Sequence, residues 1–185
     1  MLRPLEMAHD FLAEVVTKED IVVDATMGNG HDTLFLAKLA KQVYAFDIQE
    51  QAVVKTRARL EEAGVDNAQL ILAGHETVDA YVDEVKAAIF NLGYLPSADK
   101  SVITQPQTTL QALDKLCQRL VKGGRIATMI YYGHEGGELE KDAVLDFVSQ
   151  LPQQEFTATI YRTLNQVNTP PFLVMIEKLE HYRHG

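Results

Sequence analysis

The sequence predicts an α/β fold, a doubly wound and mostly parallel sheet of seven strands that ends in an antiparallel hairpin. Three observations lead there. Short apolar segments alternate with amphipathic ones from end to end. The first five apolar segments are joined by stretches with helical periodicity, and such crossovers imply parallel strands covered on both faces. The last two have only the polar run Asn165-Gln166-Val167-Asn168-Thr169-Pro170 between them, so they should pair antiparallel.

The elements follow in order. Leu5, Ala8, Leu12 and Val15 fall on one face of a helix over about 4–17. Strand one is expected at about 20–25, a helix at 31–40, strand two at 42–47, and a helix at 50–63 stopped by Gly64. Strand three covers Gln69 to Ala73 and leads to a short helix near 77–85. Strand four runs from Lys86 to Asn91. A loop of about 95–105 then precedes a helix at 106–121, with Pro106 suited to its first turn. Gly123-Gly124 reads as a turn into strand five, Arg125 to Tyr131. A helix at about 137–150 stops at Pro152, before the strands at 155–163 and 171–178. No internal repeat or second domain is visible, so residues 1–185 are expected to form one domain.

Composition narrows the function. The single cysteine excludes an internal disulfide framework and fits a reducing cytoplasm. Cys117 lines up with Leu110, Leu113 and Leu120, which marks it as core and not as a nucleophile. No apolar run approaches a membrane span, and no signal-peptide pattern opens the chain. A net charge of −9 argues against nonspecific nucleic-acid binding but leaves room for a local basic patch. His and acidic residues do not recur at metal-ligand spacings, so no metal is expected.

The chemistry should sit beyond the carboxyl ends of the strands, where ligands collect in such sheets. Strand one ends in Asp24-Ala25-Thr26-Met27-Gly28-Asn29-Gly30, ahead of a helix opening at His31-Asp32-Thr33. Gly28 and Gly30 can take backbone angles closed to other residues and leave room for a ligand. The dinucleotide fingerprint fits less well, because Thr33 stands where its third glycine belongs. Strand two also ends in an acid, Asp47, which can accept from both hydroxyls of a ribose or cap the following helix. Both features suit an adenosine-type ligand, and a glycine turn without a ligand also fits them. Gly74-His75-Glu76 follows strand three, and Asn91-Leu92-Gly93-Tyr94-Leu95-Pro96 follows strand four. Thr104-Gln105-Pro106-Gln107-Thr108-Thr109 can hold an anion at a helix mouth or act as a plain N-cap. Tyr131-Tyr132-Gly133-His134-Glu135-Gly136-Gly137 reads as part of a site, with His134 a base, a substrate contact or an exposed loop residue.

Asp-x-x-x-Gly-x-Gly resembles motif I of class I S-adenosylmethionine-dependent methyltransferases, whose Rossmann-like sheet also ends in an antiparallel hairpin. Asn91 to Pro96 resembles the Asn/Asp-Pro-Pro-Tyr motif of methyltransferases that modify amino nitrogens, with Leu92-Gly93 in place of Pro-Pro. Together with Thr108-Thr109, Ala112-Leu113 and Gly133 to Gly137, these segments make the chain similar to the small bacterial rRNA methylases of the YtqB type. Better-defined members of that family look like tRNA wobble-uridine methyltransferases. The resemblance implies S-adenosyl-L-methionine as cofactor, bound by Asp24, Thr26, Gly28, Asn29, Gly30, Asp32, Thr33, Asp47, Gln49, His75, Glu76 and Asn91. It implies N-methylation of 5-aminomethyl-(2-thio)uridine in the anticodon arm of a tRNA. By the same resemblance, Asn91 and the Leu92 carbonyl would hold the amine and Tyr94 would pack on the base, while His134 is the remaining catalytic candidate. Tyr94 or Tyr132 can stack on a flipped-out base. Arg3, Lys100 and Arg162 are the candidate RNA contacts, with only Arg3 and Lys100 expected beside the active face. A homodimer stays open.

Four other readings compete, one of them methylation of rRNA. A methyltransferase for a small-molecule or protein amine agrees better with the acidic charge. A nicotinamide-dependent oxidoreductase is disfavoured by Thr33 and by the lack of a substrate domain. A noncatalytic adenosine-binding module leaves Asn91–Pro96 and Tyr131–Gly137 without a role.

Overall fold

A computed structural model describes residues 1–94 and 105–181. Seven strands form one sheet: β1 (Ile21–Asp24), β2 (Gln42–Asp47), β3 (Ala68–Leu72), β4 (Val85–Leu92), β5 (Leu120–Ile130), β6 (Phe156–Tyr161) and β7 (Phe172–Lys178). Their order is β3-β2-β1-β4-β5-β7-β6. The first five are parallel, and β7 lies antiparallel between β5 and β6. Among the described residues five α-helices accompany them: α1 (Pro4–Ala13), α2 (His31–Leu39), α3 (Glu50–Glu62), α4 (Pro106–Arg119) and α5 (Gly137–Ser149). The short helix expected near 77–85 is a 3₁₀ helix over His75–Ala80 that follows β3.

Successive side chains of a strand point to opposite faces, and the central strands are apolar on both. Val22 and Ile89 pack under α1 and α2 with Ala8, Leu12 and Leu36. Val23 and Phe90 pack on the other face with Leu113, Leu116 and Val144 of α4 and α5. Cys117 is buried in that second layer, and burial pushes its thiol up to about 12, which leaves it inert at neutral pH.

Two boundaries differ from the expectation. Helix α1 stops at Ala13 instead of continuing to 17, because Asp20 Oδ2 accepts from both the Thr17 amide (2.7 Å) and the Thr17 hydroxyl (2.9 Å) and closes a turn there. Gly123-Gly124 is no turn before β5 but an irregularity inside it. The β4–β5 register jumps from Val85↔Leu120 to Ala87↔Arg125, and Gly123 adopts φ +82°. This is a bulge, a usual role of glycine within a strand.

The order of the strands reverses between β1 and β4, and the site lies at that switch point. Strand β1 ends at Asp24, in register with Ala45 of β2 and Ile89 of β4. Its neighbours run on to Asp47 and Leu92. A notch opens above β1, and the glycine loop turns inside it. Among the described residues no helix is long and apolar enough to cross a membrane.

Candidate active site

The loop after β1 is held from below and behind. Asp24 is buried, its Oδ2 accepting from the Thr33 hydroxyl at 2.7 Å and its Oδ1 from the Thr26 amide at 3.2 Å. Burial, with the nearby Asp32 charge adding to it, raises the Asp24 carboxyl to about 8 against those two hydrogen bonds. From behind, the Thr56 hydroxyl donates to the Gly28 carbonyl (3.2 Å) and Arg59 Nε to the Asn29 carbonyl (2.8 Å). Gly28 and Gly30 have φ of +54° and +87°. A Cβ on Gly30 would fall 2.8 Å from Thr56 Oγ1, whereas one on Gly28 would meet nothing nearer than the Thr26 carbonyl at 3.9 Å. Gly30 therefore serves the packing of α3 on the loop, and Gly28 faces open space. Thr56 and Arg59 belong to no motif, and their helical periodicity gave no sign of this role.

Asp47 closes one side of the notch. Its Oδ2 accepts from the Gly28 amide at 3.0 Å and its Oδ1 from the Gln49 amide at 2.9 Å. An ionised carboxylate offers about four acceptor directions, so both oxygens keep capacity for hydroxyl donors. On the same side His75 Nδ1 lies 3.0 Å from the Ala25 carbonyl, which only accepts, so Nδ1 carries the proton. The ring is buried edge-on to Phe90, and burial lowers its pKa, so it stands neutral.

Asn91 closes the other side. Its backbone amide donates to the Thr26 hydroxyl at 2.7 Å, and its side-chain Nδ2 donates to Asp32 Oδ2 at 2.5 Å. Gly93 follows with φ +81° and no room for a Cβ, which would collide with the Tyr131 carbonyl and His134 Cε1. The Leu92 carbonyl, expected to help hold an amine, instead accepts from the Tyr131 amide at 2.8 Å and continues the β4–β5 ladder.

These groups line one cavity of about 410 Å³, within the size range of small-molecule sites. Thr26, Gly28, Asn29, Asp32, Asp47, Gln49, His75, Glu76, Asn91 and Tyr94 all border it. Asp24, Gly30, Thr33 and His134 do not. The first three brace the loop, and His134 packs beneath Gly93 with Nε2 buried and without a partner among the described residues. Tyr131, not Tyr132, joins Tyr94 at the wall, with ring centroids 5.2 Å apart. Tyr132 instead packs edge-on against Phe172 under Lys141. Burial raises the Tyr131 phenol to about 12, so it stays protonated. Gln105 and Thr108 also reach the cavity, while Thr109 turns inward to Glu140. Leu95, Pro96, Lys100 and Thr104 lie outside the described residues. Arg162 was not expected near the active face. Strand β6 runs in the same sense as β5, however, and its end lies at the carboxyl side. There the Tyr161 hydroxyl donates to the Leu2 carbonyl at 2.5 Å, so Arg3 and Arg162 each adjoin this contact in the chain, with Arg3 paired to Glu6 at 3.1 Å. Among the described residues no group of three His, Cys, Asp or Glu is placed to hold a metal.

Two predictions follow from the loop. Gly30→Ala should lower the urea midpoint by more than about 2 kcal/mol in stability, from left-handed strain plus the Thr56 collision. Gly28→Ala should cost only about 1–2 kcal/mol, the left-handed strain alone. Equal losses would contradict the division of roles. The second concerns Asp24. Between its ordinary value near 3.8 and about 8, the folded chain keeps a proton that the unfolded chain releases, so stability falls as pH rises through that window. Neutral His75 acts in the opposite sense, its contribution being lost as pH falls below about 6.5. Urea midpoints of the wild type relative to Asp24→Asn cancel the His75 contribution. The wild type should lose ground to the variant from pH 5 to pH 8, and parallel curves would refute a protonated Asp24.

The comparisons with known proteins agree with this geometry. The family model described as "Putative rRNA methylase" matches residues 43–177. A relative from Arabidopsis thaliana, named "tRNA (mnm(5)s(2)U34)-methyltransferase, chloroplastic", is 36% identical over 94% of this chain and 69% of its own length. A crystal structure from Streptococcus mutans, "a putative methyltransferase … in complex with SAH", is 62% identical with a TM-score of 0.93, covering 97% of this chain and 99% of that one. An "rRNA-methylase" from Clostridium thermocellum is 45% identical with a TM-score of 0.94 and the same coverage. With a family model across most of its length and a 36% identical relative covered over 69% of that relative's length, the chain belongs to the rRNA methylase family of methyltransferases.

Proposed function

We propose that this methyltransferase uses S-adenosylmethionine to N-methylate the aminomethyl group of 5-aminomethyl-(2-thio)uridine at the wobble position of a tRNA. The observation that carries the reading is the presence, in one cavity, of the glycine loop with Asp47 and of Asn91 with Tyr94 and Tyr131. The first set suits an adenosine with its ribose hydroxyls. The second suits a planar base bearing an N–H donor. The names of the Arabidopsis and Streptococcus mutans relatives support the substrate and the cofactor respectively.

The cofactor, when bound, supplies an electrophilic methyl group on a sulfonium. Asp47 would accept from the ribose hydroxyls, and the loop amides beside Gly28 would approach the ligand without side-chain interference. The acceptor amine must present a lone pair, although an alkyl amine is mostly protonated near neutrality, as lysine is, so it would give one proton to solvent water before attack, and the methylated nitrogen would then carry the positive charge that the sulfonium loses. An amide oxygen accepts a hydrogen bond but is no base at that pH, so Asn91 would orient the amine and not deprotonate it. Tyr94, which is 53% exposed, and Tyr131 would cover the flipped-out base by stacking, the usual means of holding a single-stranded base.

The acidic chain needs local positive charge to hold RNA. Arg3 and Arg162 each adjoin a residue of the Leu2–Tyr161 contact, Arg3 being paired with Glu6, and Leu5 in the first turn of α1 borders the cavity. Positive charge at this place would suit the phosphates of a tRNA. The test is single-turnover transfer to aminomethyl-uridine tRNA with saturating cofactor. Asn91→Ala should slow it by about a hundredfold, the scale of a lost orienting contact. Calorimetric affinity for S-adenosylhomocysteine should stay within a fewfold. Near-normal turnover in Asn91→Ala would move the acceptor site elsewhere. Equal efficiency on a free amine or nucleoside would favour the small-molecule reading.

A further inference from the structure

We infer that His9, Asp32 and Asn91 form a positioning triad in which Asp32 fixes the orientation of the Asn91 amide toward the methyl acceptor. The inference rests on the amine reading above and adds two residues to it, one of them from a helix that no motif marks.

Asp32 stands in the first turn of α2, where an acid is favoured by the helix dipole alone. Its bonds show more than that. It is buried, and both carboxylate oxygens are engaged by other elements. Oδ1 lies 2.7 Å from His9 Nε2 on α1, and Oδ2 accepts from Asn91 Nδ2 at 2.5 Å at the end of β4. His9 is itself held, its ring stacked on Phe35 at 4.0 Å and 14°. Phe35 is one turn beyond Asp32, so α2 grips the imidazole with two side chains.

The consequence follows from the donor and acceptor inventory. An amide has an acceptor end and a donor end, and either can face a neighbour that both donates and accepts. An ionised carboxylate only accepts. Asp32 therefore admits only the NH₂ end of Asn91 and turns its oxygen the other way. Asn91 and Asp32 both border the cavity, so the oxygen so directed is the one that meets an amine N–H. His9 does not border the cavity and acts through Asp32, holding the carboxylate in the rotamer that reaches Asn91. The backbone of Asn91 is fixed independently by Thr26, which leaves the side-chain torsion as the freedom that Asp32 removes.

The test is a double-mutant cycle on single-turnover transfer to aminomethyl-uridine tRNA, with S-adenosylhomocysteine affinity and the Asn91 side-chain amide NMR signal as further readouts. Asp32→Asn can present either end to Asn91, so it should slow transfer at least tenfold. In the Asn91→Ala background the same change should cost less than threefold, because the orientation it sets no longer matters. His9→Phe keeps the stack on Phe35 but loses Nε2 and should slow transfer several-fold, while His9→Gln, which restores a donor, should recover most of that loss. In the ligand-free protein the Asn91 NH₂ signal should be shifted downfield and slow to exchange, and Asp32→Asn should abolish both features. Additive effects of Asp32→Asn and Asn91→Ala, or wild-type transfer by Asp32→Asn, would overturn the triad while leaving the amine reading standing. A large loss of cofactor affinity in Asp32→Asn that accounts for the slower transfer would also overturn it, by making Asp32 a cofactor ligand first. Failure of the wild-type chain to methylate this tRNA would overturn the amine reading and the triad with it.

Discussion

The parallel pairing of β1 between two longer strands is the constraint on which the rest of the site depends. Backbone bonds from the Ala25 amide to the Ile89 carbonyl and from the Met27 amide to the Phe46 carbonyl, both 2.9 Å, hold the chain in register just past the end of β1. Since Asp24 is level with Ala45 and Ile89, Asp47 and Asn91 each stand two residues beyond it on either side. The glycine loop has no other place to turn. The cavity is thus a product of unequal strand lengths, and its two polar walls, Asp47 and Asn91, stand at the overhanging ends of the flanking strands.

Carboxylates do most of the arranging, and their surroundings separate their tasks. Asp24 is enclosed by the loop it braces and carries a raised pKa, which suits a structural group kept from the ligand. Asp47 is bonded only to backbone amides and faces the cavity. Asp32 is shared between two side chains from different elements. One residue type thereby supports the loop, one wall and, on the inference above, the opposite wall. The carboxylates here also give the cavity a negative field, which fits the positive sulfonium of the cofactor.

Most of the architecture was legible in the sequence because its signals are local. Alternating strand and helix periodicity gave the sheet, and the polar run at 165–170 gave the antiparallel hairpin. Asp24, Asp47 and Asn91 were visible because each closes an apolar strand. Local signals fail where two distant segments decide the outcome. The bulge at Gly123-Gly124 depends on the register with β4, and a glycine pair reads as a turn without that partner. Tyr131 and Tyr132 are adjacent and chemically alike, and only the sheet's geometry puts Tyr131 in the cavity. Thr56 and Arg59 act on the loop, and His9 on Asp32, from helices whose spacing merely says amphipathic. Arg162 reached the active face because β6 runs in the same sense as β5, a consequence of topology and not of the residues beside it.

The most direct test of the account is the modified nucleosides of total tRNA from a strain lacking this chain, read by mass spectrometry. The account predicts that 5-methylaminomethyl-(2-thio)uridine disappears and its 5-aminomethyl precursor accumulates. It also predicts that re-expression of the wild type, but not of Asn91→Ala, reverses both changes. An unchanged wobble nucleoside profile, with a methyl group missing instead from ribosomal RNA or from no RNA at all, would contradict it.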